Sequence, residues 1–183
     1  MGILRSLKYL QSIFLIGTFL FQCSLPARAE EGIELYEQKI KAGLVYNFLK
    51  YTTWPDLTSQ EKIKVCLFGA DSFQGYLAPL EGRTAQQSVI SIVRISEINE
   101  TGDCNLVFIH HSKAEYLPSL LSFLKEKHVL TVSDMNEFAR KGGMVELSME
   151  NQQVNLYVNK QAVNSAGLAI QDRMLRLAKK VFG

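Results

Sequence analysis

After residue 29 the sequence has no apolar run approaching the roughly 20 residues that a membrane-crossing helix requires. Cysteine is scarce: Cys23, Cys66 and Cys104 are the complete set. No C-x-x-C occurs, so the dithiol signature of a thioredoxin-like oxidoreductase is missing. No G-x-S-x-G elbow occurs either, and a serine hydrolase of that type has no nucleophile to build on. A long basic run is also absent. The chain carries 20 Lys+Arg against 18 Asp+Glu, and its first 29 residues hold three of the basic side chains and none of the acidic ones. The remainder is nearly neutral, at 17 basic against 18 acidic, and lacks the electrostatic footprint of nucleic-acid binding.

What is present begins with a leader. Arg5 and Lys8 precede the apolar run from Ile13 to Phe21, and Ala27-Arg28-Ala29 follows. This is the pattern of a secretory signal peptide cleaved near Ala29, which leaves residues 30–183 as one secreted domain. Phe21 and Gln22 stand where a lipoprotein signal places small residues, so Cys23 leaves with the leader. Cys66 and Cys104 then remain in an oxidising compartment, which favours one disulfide.

From Ile33 to Tyr51 the apolar residues Tyr36, Ile40, Leu44, Phe48 and Tyr51 recur at helical spacing. The helix must end before Trp54-Pro55. Short apolar runs at 64–69, 89–95, 105–109 and 128–132 read as strands, with helices expected over 72–80 and 115–125. Such alternation implies an α/β domain with a mainly parallel, covered sheet. The alternating runs 144–149 and 154–158, joined by Glu150-Asn151-Gln152, predict an antiparallel hairpin. Asn159 is placed to cap a short helix that Gly167 ends. A final amphipathic helix is expected to dock through Ile170, Met174, Leu177, Ala178 and Val181.

Gly142-Gly143 invites comparison with a phosphate loop, but such loops follow a strand and open a helix. Here the glycines follow a helical pattern over 136–140 and precede a strand. They read as a helix stop and a strand entry.

Ligands of open α/β sheets gather beyond the carboxyl ends of the parallel strands. Asp71, His111 and Asp134 fall at three such ends and form a candidate ligand rim. The competing use of Asp71, Ser112 and Asp134 is to cap the helices that follow. His110 and His111 are adjacent, and on an extended chain neighbours point to opposite faces; with no third ligand at metal spacing, no metal site is expected. If the strands carrying Cys66 and Cys104 are neighbours, their sulfurs can meet across the sheet. Trp54 and Tyr51, with Arg173 and Met174 of the last helix, are the candidate interface residues, because aromatic and arginine anchors dominate interface energetics.

Taken in order, "KAGLVYNFLKYTTWP", "VCLFGADSF", "CNLVFIHHS", "LPSLL", "VLTVSD", "GGMVELSMENQQVNLYVN", "AGL" and "MLRLA" resemble the YfiR family of periplasmic proteins from about Lys41 onward. The resemblance implies a non-enzymatic regulator without cofactor. It would bind the periplasmic domain of an inner-membrane diguanylate cyclase and hold it off, lowering cyclic di-GMP and biofilm formation. The resemblance also implies a homodimer, relief by an outer-membrane lipoprotein, and a disulfide at Cys66 and Cys104 linked to stability and redox response. The alternative function is a periplasmic small-molecule sensor using the strand-end rim.

Overall fold

The computed structural model describes residues 27–57 and 62–183, with side chains from residue 35. Residues 36–183 form one compact unit. The leader's basic start and apolar run lie outside the described residues.

Helix α1 (Ala27–Tyr51) runs up to strand β1 (Thr52–Thr53). Its stop has two causes. Pro55 forbids continuation, and the Gln86 amide donates to the carbonyls of Leu49 and Thr52, both at 2.6 Å, supplying partners the last turn would otherwise lack. The centre of the fold is the sheet of β2 (Lys62–Phe68), β3 (Thr84–Ala85), β4 (Ser88–Ile95), β5 (Leu106–Ile109), β6 (Leu130–Ser133), β7 (Val145–Glu150), β8 (Gln153–Asn159) and β10 (Lys180–Phe182). Their order is β10-β8-β7-β6-β5-β2-β4-β3. Strands β4, β2, β5, β6 and β7 are mutually parallel, and β7–β8 and β3–β4 are antiparallel. A two-stranded pair joins β1 to β9 (Ala169–Ile170).

Period-two alternation sorts the central strands onto two faces. Ile63, Val65, Leu67, Leu106, Phe108, Leu130 and Val132 turn to a core shared with Ala42, Val45, Phe48 and Leu49 of α1. Cys66, Phe68, Val107 and Ile109 turn to the opposite core, with Leu117 and Leu120 of α2 (Leu117–Phe123) and with Phe138. Strands covered on both faces must be apolar throughout, which is why β5 reads LVFI and is buried at every position.

The hairpin forms where expected, its tight turn using Asn151 (φ 51°) and Gln152 (φ 61°) in the left-handed region. Asn159 accepts the Ala162 N–H at 2.9 Å and so caps α3 (Lys160–Ser165), with Gly167 beyond it at φ 69°.

Four expected helices change. Over 72–80 the chain makes turns and a 3₁₀ segment, Ala78–Leu80, because Gln74 (φ 46°) and Gly75 (φ 85°) adopt left-handed backbone that no helix admits. The 115–125 helix is confined to 117–123, preceded by a 3₁₀ turn over His111–Tyr116. The last helix shrinks to α4 (Asp172–Leu175), after which the chain extends into β10 and pairs with β8. The exposed backbone edge of β8 outweighs the helical apolar spacing there. Met174 enters the core, while Leu177 and Val181 stay exposed instead of docking.

The fourth is the 136–140 helix, which is a run of turns with Glu137 at φ 64°. Gly142-Gly143 therefore stops no helix. Gly142 has φ 101°, and a Cβ at Gly143 would lie 2.1 Å from the Phe138 ring. The loop is pinned by the buried Glu146 carboxylate, which accepts the N–H groups of Glu137 and Ala139 at 3.1 Å each. Gly143→Ala is expected to destabilise the protein by about 1–3 kcal/mol through overpacking against Phe138, which chemical denaturation would measure; unchanged stability would show that the ring has room to move.

Cys66 and Cys104 are joined as a disulfide with Cα atoms 6.0 Å apart. Both are buried, and Cys66 lies on β2 beside β5. The bridge closes a loop across 38 residues, for which the chain-entropy estimate gives about 4 kcal/mol of stabilisation. Replacing both cysteines by alanine should lower the melting temperature under oxidising conditions to near that of reduced wild type. Equal melting of oxidised wild type and variant would show that the bridge does not stabilise the fold.

Candidate functional site

Three loops meet beyond the carboxyl ends of β2, β5 and β6, and they bring the predicted rim together unevenly. Asp134 is the common partner. Its Oδ2 accepts the Ser72 hydroxyl at 2.9 Å and lies 3.7 Å from the buried Lys41 ammonium. Its Oδ1 accepts the His111 N–H at 3.2 Å. Lys41 is also paired with Glu37 at 2.5 Å, one helical turn earlier. Helix α1 thus contributes a cation to the strand ends.

Asp71 turns to other partners. Its Oδ1 accepts the Phe73 N–H at 2.8 Å and its Oδ2 the Arg94 guanidinium at 2.6 Å. Asp71 and Arg94 line a groove of about 430 Å³ with Leu67, Gly75, Leu77, Ala78, Glu81 and Ile92.

The expected caps are realised in part. Asp71 makes a local bond to the segment after it, but that segment is a turn. Ser112 does not cap: its N–H is accepted by His110 Nδ1 at 3.0 Å. Asp134 caps no helix, since turns follow it; the local bond there is the Met135 N–H to the Ser133 hydroxyl at 3.0 Å.

The two histidines do not point apart. The 3₁₀ turn begins at His111, so the extended geometry that separates neighbours ends there. Their ring centroids are 3.8 Å apart. Burial and the adjoining His111 and Lys41 hold the His110 pKa below its ordinary value, against the opposing pull of Asp134. Lys41 and Arg94 are site residues that the sequence did not single out, because they come from distant segments whose meeting no spacing encodes; His110 and Ser72 adjoin His111 and Asp71 in sequence.

The candidate interface residues also separate. Trp54 is 4 % exposed and donates its indole N–H to the Asn105 carbonyl at 2.9 Å, so its ring is core. Met174 is 1 % exposed and equally core. Tyr51 is half-buried and Arg173 is exposed, with the guanidinium 4.7 Å from the tyrosine ring centre. Arg173 and then Lys50 lower the Tyr51 pKa from its ordinary value. A second surface cluster joins the hairpin to the C-terminal segment, where Glu150 accepts Lys179 Nζ at 2.5 Å and the Tyr157 hydroxyl at 2.6 Å.

Residues 38–179 match the family described as YfiR/HmsC-like. The chain belongs to the YfiR/HmsC-like family. No curated protein matches it. Two solved structures share the fold: an ABC domain in complex with L-Trp from Streptococcus pneumonia, with TM-score 0.52, 11 % identity and coverage of 75 % of this chain and 59 % of that one, and a conserved domain protein from Vibrio cholerae, with TM-score 0.51, 10 % identity and coverage of 79 % and 60 %. The chain spans about three fifths of each. Among the described residues of this YfiR/HmsC-like chain, no helix is long and apolar enough to cross a membrane.

The Asp71 carboxylate yields a pH prediction. Burial alone would raise its pKa, but the Phe73 N–H and the Arg94 guanidinium outweigh burial and leave it below its ordinary value. A folded pKa below the unfolded one gives stability that is fully present above about pH 4 and is lost as pH falls through the folded value. Asp71→Asn should therefore lower the melting temperature at neutral pH, and the gap to wild type should narrow as the pH falls below about 4. A gap that stays constant across that window would show that the ionised carboxylate contributes nothing.

Proposed function

We propose that this chain is a non-catalytic periplasmic regulator that binds the periplasmic domain of an inner-membrane diguanylate cyclase and represses it, lowering cyclic di-GMP. The observation that carries the reading is the family match over residues 38–179. The family supports a periplasmic regulator of diguanylate cyclase signalling, and repression by direct docking is the finer step. Of the four candidate interface residues, Tyr51 and Arg173 reach the surface, stacked on one another. They form the anchor pair of the proposed docking surface, since tyrosine and arginine are the residue types that concentrate binding energy. The protein acts as a homodimer, and an outer-membrane lipoprotein relieves repression by sequestering it.

A second reading rests on the groove beside Asp71 and Arg94. Its apolar lining from Leu67, Leu77 and Ile92, flanked by Glu81, Asp71 and Arg94, suits a small amphiphilic molecule carrying both charges. A ligand there would make the protein a sensor.

The test measures cellular cyclic di-GMP with the gene present, deleted and restored. Deletion should raise the level, restoration should reverse the rise, and restoration with Arg173→Glu should reverse it only partly, the variant keeping the wild-type melting temperature. An unchanged level on deletion, with the protein demonstrably produced, would remove the repressor reading and favour the sensor.

A further inference from the structure

The chain has three histidines, and two of them, His110 and His111, stand beside Asp134 at the strand-end rim. One ligand atom from each of these three residues lies within 4.8 Å of the others. Donors held about 2.0–2.2 Å from one tetrahedral ion are about 3.3–3.6 Å apart. The three donors therefore have to draw together by about 1 Å for one tetrahedral cation to bridge them. The His111 side chain is 68 % exposed, with its Nδ1 3.8 Å from Asp134 Oδ1, and is free to close that gap by rotating.

The surroundings orient these donors. Ser72 and Lys41 engage Oδ2 of Asp134, which leaves Oδ1 facing the imidazole of His111. Outer partners of this kind fix a carboxylate ligand and tune its affinity. The Ser112 hydroxyl is 2.8 Å from His110 Nδ1; with Nδ1–H donating to that hydroxyl in place of accepting the Ser112 N–H, Nε2 presents its lone pair. Lys41 opposes a nearby cation, and its pairing with Glu37 offsets that charge. Two imidazoles and one carboxylate suit zinc and its first-row neighbours, whereas magnesium and calcium take oxygen donors.

We propose that His110, His111 and Asp134 bind one zinc-class divalent cation at the rim, with the remaining coordination position open to water. The site is built from β5, β6 and the loops after them, next to Lys41 on α1, so the cation would tie the strand ends together where Ser72 and Lys41 already converge.

The experiment is calorimetric titration of the chain, purified without a histidine tag, with zinc acetate in a non-coordinating buffer. Binding of one zinc per chain is expected, with affinity reduced at least tenfold in both His111→Ala and Asp134→Asn and unchanged in His128→Ala. Excess magnesium or calcium should not displace the zinc. A His111 side chain this exposed can be removed without unfolding the protein, and the zinc-free melting temperature of each variant verifies that. The proposal is overturned if zinc binds His111→Ala as tightly as wild type, if His128→Ala abolishes binding, or if wild type takes up none at ~1 mM zinc, far above the range expected of a built site. As a second readout, cobalt(II) added to wild type should give a visible absorption band that His111→Ala lacks; identical spectra would also count against the site.

Discussion

The fold depends on how β5 is fastened between β2 and β6. Asn105, the residue before β5, makes four connections at once. Its side-chain oxygen accepts the Lys64 N–H at 2.7 Å, its N–H donates to the Lys64 carbonyl at 2.9 Å, and its carbonyl accepts both the Leu130 N–H at 2.8 Å and the Trp54 indole at 2.9 Å. The preceding residue, Cys104, is bonded covalently to Cys66 on β2. Parallel strands cannot be joined by a tight turn, so their register must be set by other means. Here it is set at the entrance of the central strand by one amide side chain, one backbone carbonyl and one disulfide.

That fastening determines what happens at the other end. With Val65 opposite Leu106 and Leu106 opposite Leu130, the carboxyl ends of β2, β5 and β6 come level. Gly69, His110 and Asp134 then leave the sheet side by side, and the loops they start can share partners. Asp134 bonds to residues that follow both of the other strands, Ser72 and His111. The polar rim is a consequence of register, and register is a consequence of the buried staple at the opposite end.

Several polar side chains of this domain, Glu146 and Thr131 buried and Gln86 exposed, hold irregular backbone. Glu146 fixes the turn before the Gly142-Gly143 pair, Gln86 closes the end of α1, and Thr131 accepts the Met144 N–H at 3.0 Å. Each satisfies backbone N–H or C=O groups that would otherwise be buried without a partner.

Local pattern determined much of the architecture. The apolar runs of β2, β4 and β5, the alternation of the hairpin and the Asn159 cap were all legible, because strand burial and capping depend on residues close in sequence. The family resemblance was legible from motif order. The tertiary structure alone decided the rest. Left-handed backbone at Gln74 and Glu137 removed two expected helices, and competition for the open edge of β8 drew Lys180–Phe182 out of a third. It buried Trp54 and Met174, whose sequence positions suit a surface as well as a core. It also turned His110 and His111 toward Asp134, because a 3₁₀ turn starts where an extended chain would have parted them. Spacing in sequence encodes which face a residue occupies; it does not encode which distant segment supplies its partner.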